Sequence, residues 1–166
     1  MELRVTTSVG LPMRILFVCT GNTCRSPMAE AYFRHLCEMR GLVGVWVGSA
    51  GVAAMDGSPP SHQSVEALRR LGVAPPVGGS RIATRELIDV ADLIVAMTAG
   101  HEATLAARFP EADEKIHLLL DFADVTGDVA DPYGGTVADY SACLDGMIPA
   151  LVALANIAQA SLTGNE

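Results

Sequence analysis

Short runs of apolar residues alternate with amphipathic stretches along most of the chain. The run from Arg14 to Val18 has four apolar residues in succession and ends at a glycine-containing turn. Three further runs, at residues 43–49, 92–97 and 116–120, are also predicted to be strands. Continuous rather than alternating apolar character is typical of a parallel sheet that is covered on both faces.

The stretches between these runs carry apolar residues at helical spacing. The first predicted helix uses Ser26 as its capping residue and continues to Arg40. The second is expected to turn Val65, Leu68 and Leu71 toward the core. Three more helices are predicted, at residues 84–91, at residues 98–109, and from the capping-box pair Thr136 and Asp139 onward.

This alternation predicts a single α/β domain with a four-stranded parallel sheet and helices on both faces. A chain of 166 residues is long enough for one core of ordinary size. Residues 1–12 precede the first clear pattern, and we expect a flexible N-terminal extension there, followed by the domain at 13–166. Ligands of such sheets bind beyond the carboxyl ends of the strands.

Charge and cysteine usage narrow the functional classes. The net charge of -8 argues against nucleic acid as a partner, because binding it requires a basic face. No apolar run approaches the roughly 18 residues of a membrane span, and no signal-peptide layout is present, so we expect a cytoplasmic protein without a membrane partner. The four cysteines and four histidines show no paired metal spacing. We therefore expect free thiols and no metal or cofactor.

The segment from Cys19 to Ser26 lies where the first strand ends and the first helix begins. Backbone N–H groups and the positive end of the helix converge there, which favours an anion. Gly21 and Asn22 tolerate the left-handed backbone that a tight phosphate-binding turn requires. Arg25 can return to the same cavity and grip two phosphate oxygens at once.

The same surroundings favour the ionised form of Cys19, because a helix N-terminus and a cation both stabilise a thiolate. Cys19 is therefore a candidate nucleophile that attacks phosphorus. The competing interpretation is a buried cysteine at a strand end beside an ordinary turn. The preceding strand and the Ser-Pro helix start that follows favour the catalytic interpretation.

A candidate proton donor lies far along the chain. Asp131 is followed by Pro132 and by the aromatic Tyr133, which could flank a substrate. The alternative is a simple Asp-Pro turn. The local competitors are Asp121, Asp124 and Asp128.

The segment from Val18 to Glu30 closely resembles the signature of the low-molecular-weight protein tyrosine phosphatase family. Residues 49–51, 92–97 and 131–133 follow in the order of that family, so that the resemblance covers roughly residues 13–162. It implies a fold of that type, a phosphorylated protein as substrate, and catalysis without a metal. The sequence leaves the oligomeric state open, with a monomer as one option.

The resemblance also implies roles for individual residues. Cys19 would form a phosphocysteine, Arg25 would hold the transferring oxygens, and Asp131 would act first as acid and then as base. Ser26 would donate a hydrogen bond to the Cys19 thiolate, and Cys24 could form a reversible disulfide with Cys19 under oxidation. The implied phosphate-binding residues are Thr20, Gly21, Asn22, Thr23, Cys24 and Ser26, and the implied substrate contacts are Thr23, Ser49 and Tyr133; Asn22 and Ser49 also resemble residues that brace the loop.

Thr23 indicates which phosphorylated residue is the substrate. Tyrosine phosphatases of the family typically carry isoleucine at this position, whereas the threonine resembles the bacterial protein arginine phosphatase branch. A hydroxyl suits a departing guanidinium better than a phenol. We therefore predict phosphoarginine as the substrate and keep phosphotyrosine as the alternative.

Two other classes remain open. A thioredoxin-coupled arsenate reductase would need further redox cysteines, and none lies between Cys37 and Cys143. A phosphoprotein-binding module without turnover would not need Cys19, Arg25 and Asp131 together. Both are less favoured than a phosphatase.

Overall fold

The computed structural model describes residues 12–164. Residues 1–11 of the predicted N-terminal extension lie outside this range. The helices and strands are β1 Met13–Cys19, α1 Arg25–Met39, β2 Val45–Gly51, α2 His62–Arg70, α3 Arg85–Val90, β3 Leu93–Ala96, α4 Ala99–Arg108, β4 Ile116–Leu118 and α5 Val137–Thr163, with short 3₁₀ helices at Pro110–Lys115 and Leu120–Ala123.

The four strands form one parallel sheet in the order β2-β1-β3-β4. In register, Cys19 at the end of β1 lies opposite Gly51, and Val18 lies opposite Ala96. The chain leaves β1 toward β2 on one side and later returns to add β3 on the other side. The order therefore reverses beside the end of β1, which is where open α/β sheets bind their ligands.

Both faces of the sheet are covered, which confirms the predicted α/β fold. On one face, α1, α2 and α5 bury a core that includes Phe17 and Phe33, whose rings meet edge to face with centroids 5.7 Å apart. On the other face, Ile88 from α3 and Leu105 from α4 pack against the sheet. Strands enclosed in this way have no polar side, which explains their continuous apolar runs.

Two local predictions are wrong. Helix α1 begins at Arg25, its N-cap is Cys24, and no side chain caps it, so Ser26 is not a helix cap. Helix α2 ends at Arg70, which leaves Leu71 beyond the last turn and 44% exposed. Leu68 is buried as predicted, Val65 is only partly buried, and Ala67 joins Leu68 on the inner face of α2.

Helix α5 is long and apolar enough to cross a bilayer by length and composition, with a mean hydropathy of 1.6 over its best window. The prediction that no segment approaches this length overlooked it. Eight of its residues are buried within the domain, however, among them Leu144, Met147 and Leu151. In this fold α5 is a core helix that packs against α1 and α2.

Candidate active site

The segment between β1 and α1 is a tight loop at the carboxyl edge of the sheet. Asn22 adopts a left-handed backbone with φ of 56°, a conformation that asparagine tolerates better than most residues. The loop lies directly on the end of β2, because a Cβ atom at Gly51 would approach the Thr20 carbonyl oxygen to 2.4 Å. Only glycine allows the two backbones to come this close.

Three carbonyl groups of the loop accept hydrogen bonds from the segments around it. The Cys19 and Thr20 oxygens accept from the N–H groups of Val52 at 2.9 Å and Ala53 at 3.0 Å, and the Thr23 oxygen accepts from Ser61 at 2.9 Å. Among residues 12–164, no such backbone bond uses an N–H group of residues 20–24 as the donor. A loop with bound carbonyls and free N–H groups is suited to bind an anion.

Cys19 is 2% exposed, and its sulfur lies 2.9 Å from the Ser26 hydroxyl oxygen. That oxygen already accepts a hydrogen bond from Asn22 Nδ2 at 2.9 Å. The hydroxyl proton of Ser26 is therefore free to point at the sulfur, and the carbonyl of Ala50 at 3.4 Å is the more distant acceptor. A hydrogen bond of this kind stabilises a thiolate. This use of the side chain explains why Ser26 does not cap α1.

A buried network holds the loop from behind. Asn22 Nδ2 also donates to Ser49 Oγ at 2.9 Å, and Ser49 Oγ donates to Glu30 Oε2 at 2.6 Å. Arg34 pairs with the other oxygen of Glu30 at 2.7 Å, and the backbone N–H of Arg81 donates to Asn22 Oδ1 at 3.0 Å. We call Asn22, Ser49 and Glu30 the loop brace. Each of these three residues forms a side-chain hydrogen bond with a residue that is distant in the sequence. The loop is therefore held in a single conformation.

Ser49 lies in this brace, 5% exposed, and does not line the cavity in front of the loop. Its position therefore matches the predicted bracing role and gives no support to the predicted contact with substrate. The physical reason is that Ser49 Oγ is occupied by Asn22 and Glu30 on the far side of the loop.

Arg25 connects the loop to the segment that carries Asp131. Its guanidinium is buried, with Nη1 donating to the Val129 carbonyl oxygen at 3.0 Å and Nη2 lying 3.5 Å from Asp131 Oδ2. Its Nε is buried and has no hydrogen-bond partner in the part of the chain that the structure describes. Arg25 therefore retains donor capacity beside the loop.

Asp131 and Tyr133 stand at the entrance. The Asp131 side chain is 54% exposed, and its Oδ1 accepts from the backbone N–H of Tyr133 at 3.1 Å. The Tyr133 residue is 81% exposed. A carboxylate in this position can exchange protons with water and still reach the cavity.

These groups enclose a cavity of about 260 Å³ in front of the Cys19 sulfur. The structure thus brings together Cys19 and Asp131, which are 112 positions apart in the chain. Asn22, Ser26 and Ser49 lie behind the loop rather than in the cavity. The lining residues are Cys19, Thr20, Gly21, Thr23, Cys24, Arg25, Asp131 and Tyr133.

The cysteines other than Cys19 have different surroundings. Cys24 Sγ lies 3.2 Å from Tyr140 Oη, and burial raises the pKa of Tyr140 to about 12, with the bond to Cys24 adding to the effect. Burial raises the pKa of Cys37 and of Cys143 to about 11. Such thiols are poor nucleophiles at neutral pH, which disfavours a redox relay through them.

His101 is one of three residues of the site that the sequence analysis missed. His101, in the first turn of α4, is 6% exposed, and its Nε2 lies 2.8 Å from Thr20 Oγ1. Burial lowers the pKa of His101 to about 4, and the charge of Arg25 contributes to this. No motif marks this histidine, because the fold alone brings α4 next to the loop. Glu30 and Tyr140 were missed for the same reason.

Comparison with known proteins gives consistent matches over nearly the whole chain. The family model described as low molecular weight phosphotyrosine protein phosphatase matches residues 14–163. A protein-arginine-phosphatase from Geobacillus stearothermophilus is 46% identical over 136 residues, which cover 81% of this chain and 88% of that protein.

Solved structures agree. The YwlE arginine phosphatase from Geobacillus stearothermophilus superposes with a TM-score of 0.84 at 42% identity, covering 93% of this chain and 98% of that one. A cysteine-to-serine mutant of a YwlE arginine phosphatase with a phosphorylated active-site serine also gives a TM-score of 0.84, at 40% identity and with 89% and 96% covered.

Proposed function

The chain belongs to the low-molecular-weight phosphotyrosine protein phosphatase family, and we propose that it hydrolyses phosphoarginine in proteins through a phosphocysteine intermediate. The observation that carries this proposal is the cavity in which the Cys19 sulfur, the Arg25 guanidinium and the Asp131 carboxyl face one another. Protein-arginine-phosphatases from Geobacillus stearothermophilus and Bacillus subtilis, 46% and 42% identical to this chain, support the choice of substrate.

In the first step the Cys19 thiolate attacks phosphorus, and an S–P bond forms while the P–N bond to the guanidino group breaks. Asp131 gives its proton to the departing nitrogen. The loop N–H groups and Arg25 bind the three phosphoryl oxygens, where negative charge is spread in the transition state. Because these N–H groups and the Arg25 guanidinium concentrate positive potential in the cavity, a protein with a net charge of -8 can bind an anionic phosphoryl group there.

In the second step the Asp131 carboxylate takes a proton from a water molecule, which attacks phosphorus and breaks the S–P bond. Inorganic phosphate leaves, and Cys19 returns as a thiolate. The hydrogen bond from Ser26 stabilises that thiolate as leaving group. One carboxyl group therefore serves both steps, first as acid and then as base.

Thr23 is the residue of the cavity wall that favours phosphoarginine. Its side chain lines the cavity, with Oγ1 3.6 Å from the Cys24 sulfur. Its hydroxyl offers a polar contact at the point where isoleucine would offer only apolar surface. A guanidinium leaving group carries N–H donors that can use such an oxygen, whereas a phenyl ring cannot.

A comparison of kcat/KM on matched phosphoarginine and phosphotyrosine peptides tests the substrate. We expect phosphoarginine to be preferred by at least about tenfold, which corresponds to one good polar contact. Thr23→Ile should move the preference toward phosphotyrosine, and Thr23→Ser is the matched control that keeps the hydroxyl. Equal or tyrosine-favoured values for the unmodified protein would reject phosphoarginine.

A separate measurement tests the covalent chemistry. Cys19→Ser should lower hydrolysis of para-nitrophenyl phosphate by at least about 10⁴-fold and still bind vanadate. Rapid acid quenching of the unmodified enzyme should trap phosphate on Cys19. Unchanged hydrolysis by the serine variant would contradict the mechanism, whichever peptide is preferred.

Phosphotyrosine remains the second candidate because of Tyr133. An exposed aromatic ring at the entrance offers a surface against which a phenol could stack. The same Cys19, Arg25 and Asp131 would carry that reaction.

A further inference from the structure

His101 and Thr20 form a contact that the proposed reaction does not yet use. Thr20 follows Cys19 directly and lines the cavity, while His101 lies behind it at the start of α4. Nε2 and Oγ1 are 2.8 Å apart, which is a full hydrogen bond between side chains 81 positions apart. Either atom can be the donor, and the chemistry of the site depends on which one it is.

The other ring nitrogen decides the direction. His101 Nδ1 is buried and has no hydrogen-bond partner among residues 12–164. The ring is neutral at pH 7, because its pKa is about 4, and so only one nitrogen carries a proton. A buried N–H without an acceptor is rarer and more costly than an acceptor without a donor. The proton therefore belongs on Nε2, and His101 donates to Thr20.

This assignment fixes the Thr20 hydroxyl. A hydroxyl has one proton and two lone pairs. With one lone pair occupied by His101 Nε2–H, the proton of Thr20 cannot point back at the ring and is available to the cavity that Thr20 lines. The opposite tautomer would consume the hydroxyl proton and leave only lone pairs toward an anion.

We propose that His101 is a positioning residue that orients the Thr20 hydroxyl as an additional hydrogen-bond donor to the phosphoryl group. The proposal rests on the proposed phosphatase function. It adds a side-chain donor to the backbone donors of the loop. The neutral state of His101 is consistent with its surroundings, because a charged ring would place a second N–H at Nδ1, where residues 12–164 supply no acceptor.

The tautomer can be observed directly. In the ¹⁵N-histidine-labelled protein at pH 7, long-range ¹H–¹⁵N NMR should show His101 protonated at Nε2 and unprotonated at Nδ1. A signal from the neutral Nδ1–H form would overturn the proposal, because Nε2 would then accept the proton of the Thr20 hydroxyl. This result does not depend on turnover, so it stands even if the proposed function fails.

Kinetic measurements on variants of Thr20 and His101 test the proposal in a second way. Thr20→Val and His101→Leu should each lower kcat/KM for para-nitrophenyl phosphate by about tenfold and weaken vanadate inhibition by a similar factor, as expected for the net contribution of one neutral hydrogen bond. Thr20→Ser and His101→Gln are the conservative controls, because each keeps a donor near the same place, and both should stay within about threefold of the unmodified enzyme.

The double variant separates positioning from general damage. If His101 acts only through Thr20, the Thr20→Val/His101→Leu protein should be no slower than Thr20→Val alone. Multiplied losses, or full activity in His101→Leu, would overturn the proposal. If His101→Leu does not fold, the proposal is tested by the kinetics of Thr20→Val and Thr20→Ser together with the tautomer observed by NMR. Failure of the unmodified protein to hydrolyse the aryl phosphate would instead reject the proposed function.

Discussion

The phosphate loop at residues 19–26 and the segment at residues 128–135 face each other across one cavity, but they are held in different ways. The loop is fixed by buried side chains, with Asn22 and Ser49 4% and 5% exposed. The opposite segment presents Asp131 and Tyr133 largely to solvent. Stabilising charge requires donors that do not reorganise, whereas a proton donor must exchange its proton with water. Substitutions on one side, and in the residue that joins both sides, should therefore differ in their effects.

Arg25 joins the two sides, so its replacement should have the largest effect. Arg25→Lys keeps the charge but cannot reach Val129, Asp131 and two phosphoryl oxygens with one ammonium group. We expect kcat/KM on phosphopeptide to fall by about 10³-fold, the lower end of the range for such arginines. Arg85→Lys, at an exposed pair with Glu111, is the matched control. Similar kinetics for both variants would show that Arg25 does not bind the phosphoryl group.

Asp131→Asn should remove proton transfer and leave the loop intact. We expect kcat to fall by about 10²-fold, within the usual contribution of a general acid. Vanadate inhibition should change little, in contrast to Arg25→Lys. Asp124→Asn is the control, since Asp124 lies in the same region with φ of 55°, which asparagine tolerates. An equal loss in Asp124→Asn would mean that the wrong carboxylate was chosen.

Because His101 is buried behind the loop, the free energy of unfolding should depend on pH. His101 has its pKa lowered to about 4 from 6.5, by burial and then by Arg25, while Asp128 and Asp131 oppose the shift. The unfolded chain therefore binds the proton more readily, and stability that is present above pH 6.5 is lost as the pH falls toward 4. At pH 4.5 the loss should be on the order of 2 kcal/mol.

Urea unfolding at pH 7 and pH 4.5 measures this loss, and His101→Gln should reduce it. Burial also lowers the pKa of His117, so His117→Gln is the matched comparison and should remove a separate part of the acid dependence. An unchanged pH dependence in His101→Gln would show that His101 is not held neutral by the fold.

Ser49→Ala should give the smallest effect, because the loop retains its other contacts. The variant leaves Asn22 and Glu30 each without one buried partner, which should cost about 1–3 kcal/mol in the free energy of unfolding. We expect kcat/KM to fall by about tenfold with weaker vanadate binding. Thr104→Ala removes an exposed hydrogen bond from the Thr104 hydroxyl to the Gly100 carbonyl oxygen and should be nearly neutral. Unchanged vanadate binding in Ser49→Ala would show that the loop does not need its brace.

The parts of the fold that depend on local pattern were predictable. The apolar runs gave the four strands, and the Thr136 capping box of α5 forms as expected. The strand boundaries in the structure differ from the predicted ones by one or two residues; β2, for example, begins at Val45 rather than Val43. Leu71 was misplaced because helical spacing says nothing of where the last turn ends.

The site was predictable where its residues are neighbours in the chain, and Asp131 was found through its Asp-Pro-Tyr segment and the family resemblance. Contacts that only the fold creates were not predictable. Cys19 and Arg25 share one loop, so their cooperation follows from spacing. Ser26 was assigned two roles, a helix cap and a hydrogen bond to Cys19, and only the contact with Cys19 is present, because the wound loop turns the Ser26 side chain toward Cys19 and Asn22. His101 had no local signal at all, since its partner Thr20 is 81 positions away.

The contact between Cys24 and Tyr140 spans 116 positions and joins the loop to the last helix of the chain. Closing so long a segment costs more entropy than forming the local turn between β1 and α1. The finished pocket therefore requires Asp131 and Tyr140 as well as the loop, and it cannot be complete before that part of the chain has been made. A polypeptide emerging from the ribosome would carry its reactive sulfur for most of its synthesis without the surroundings that make it a catalyst.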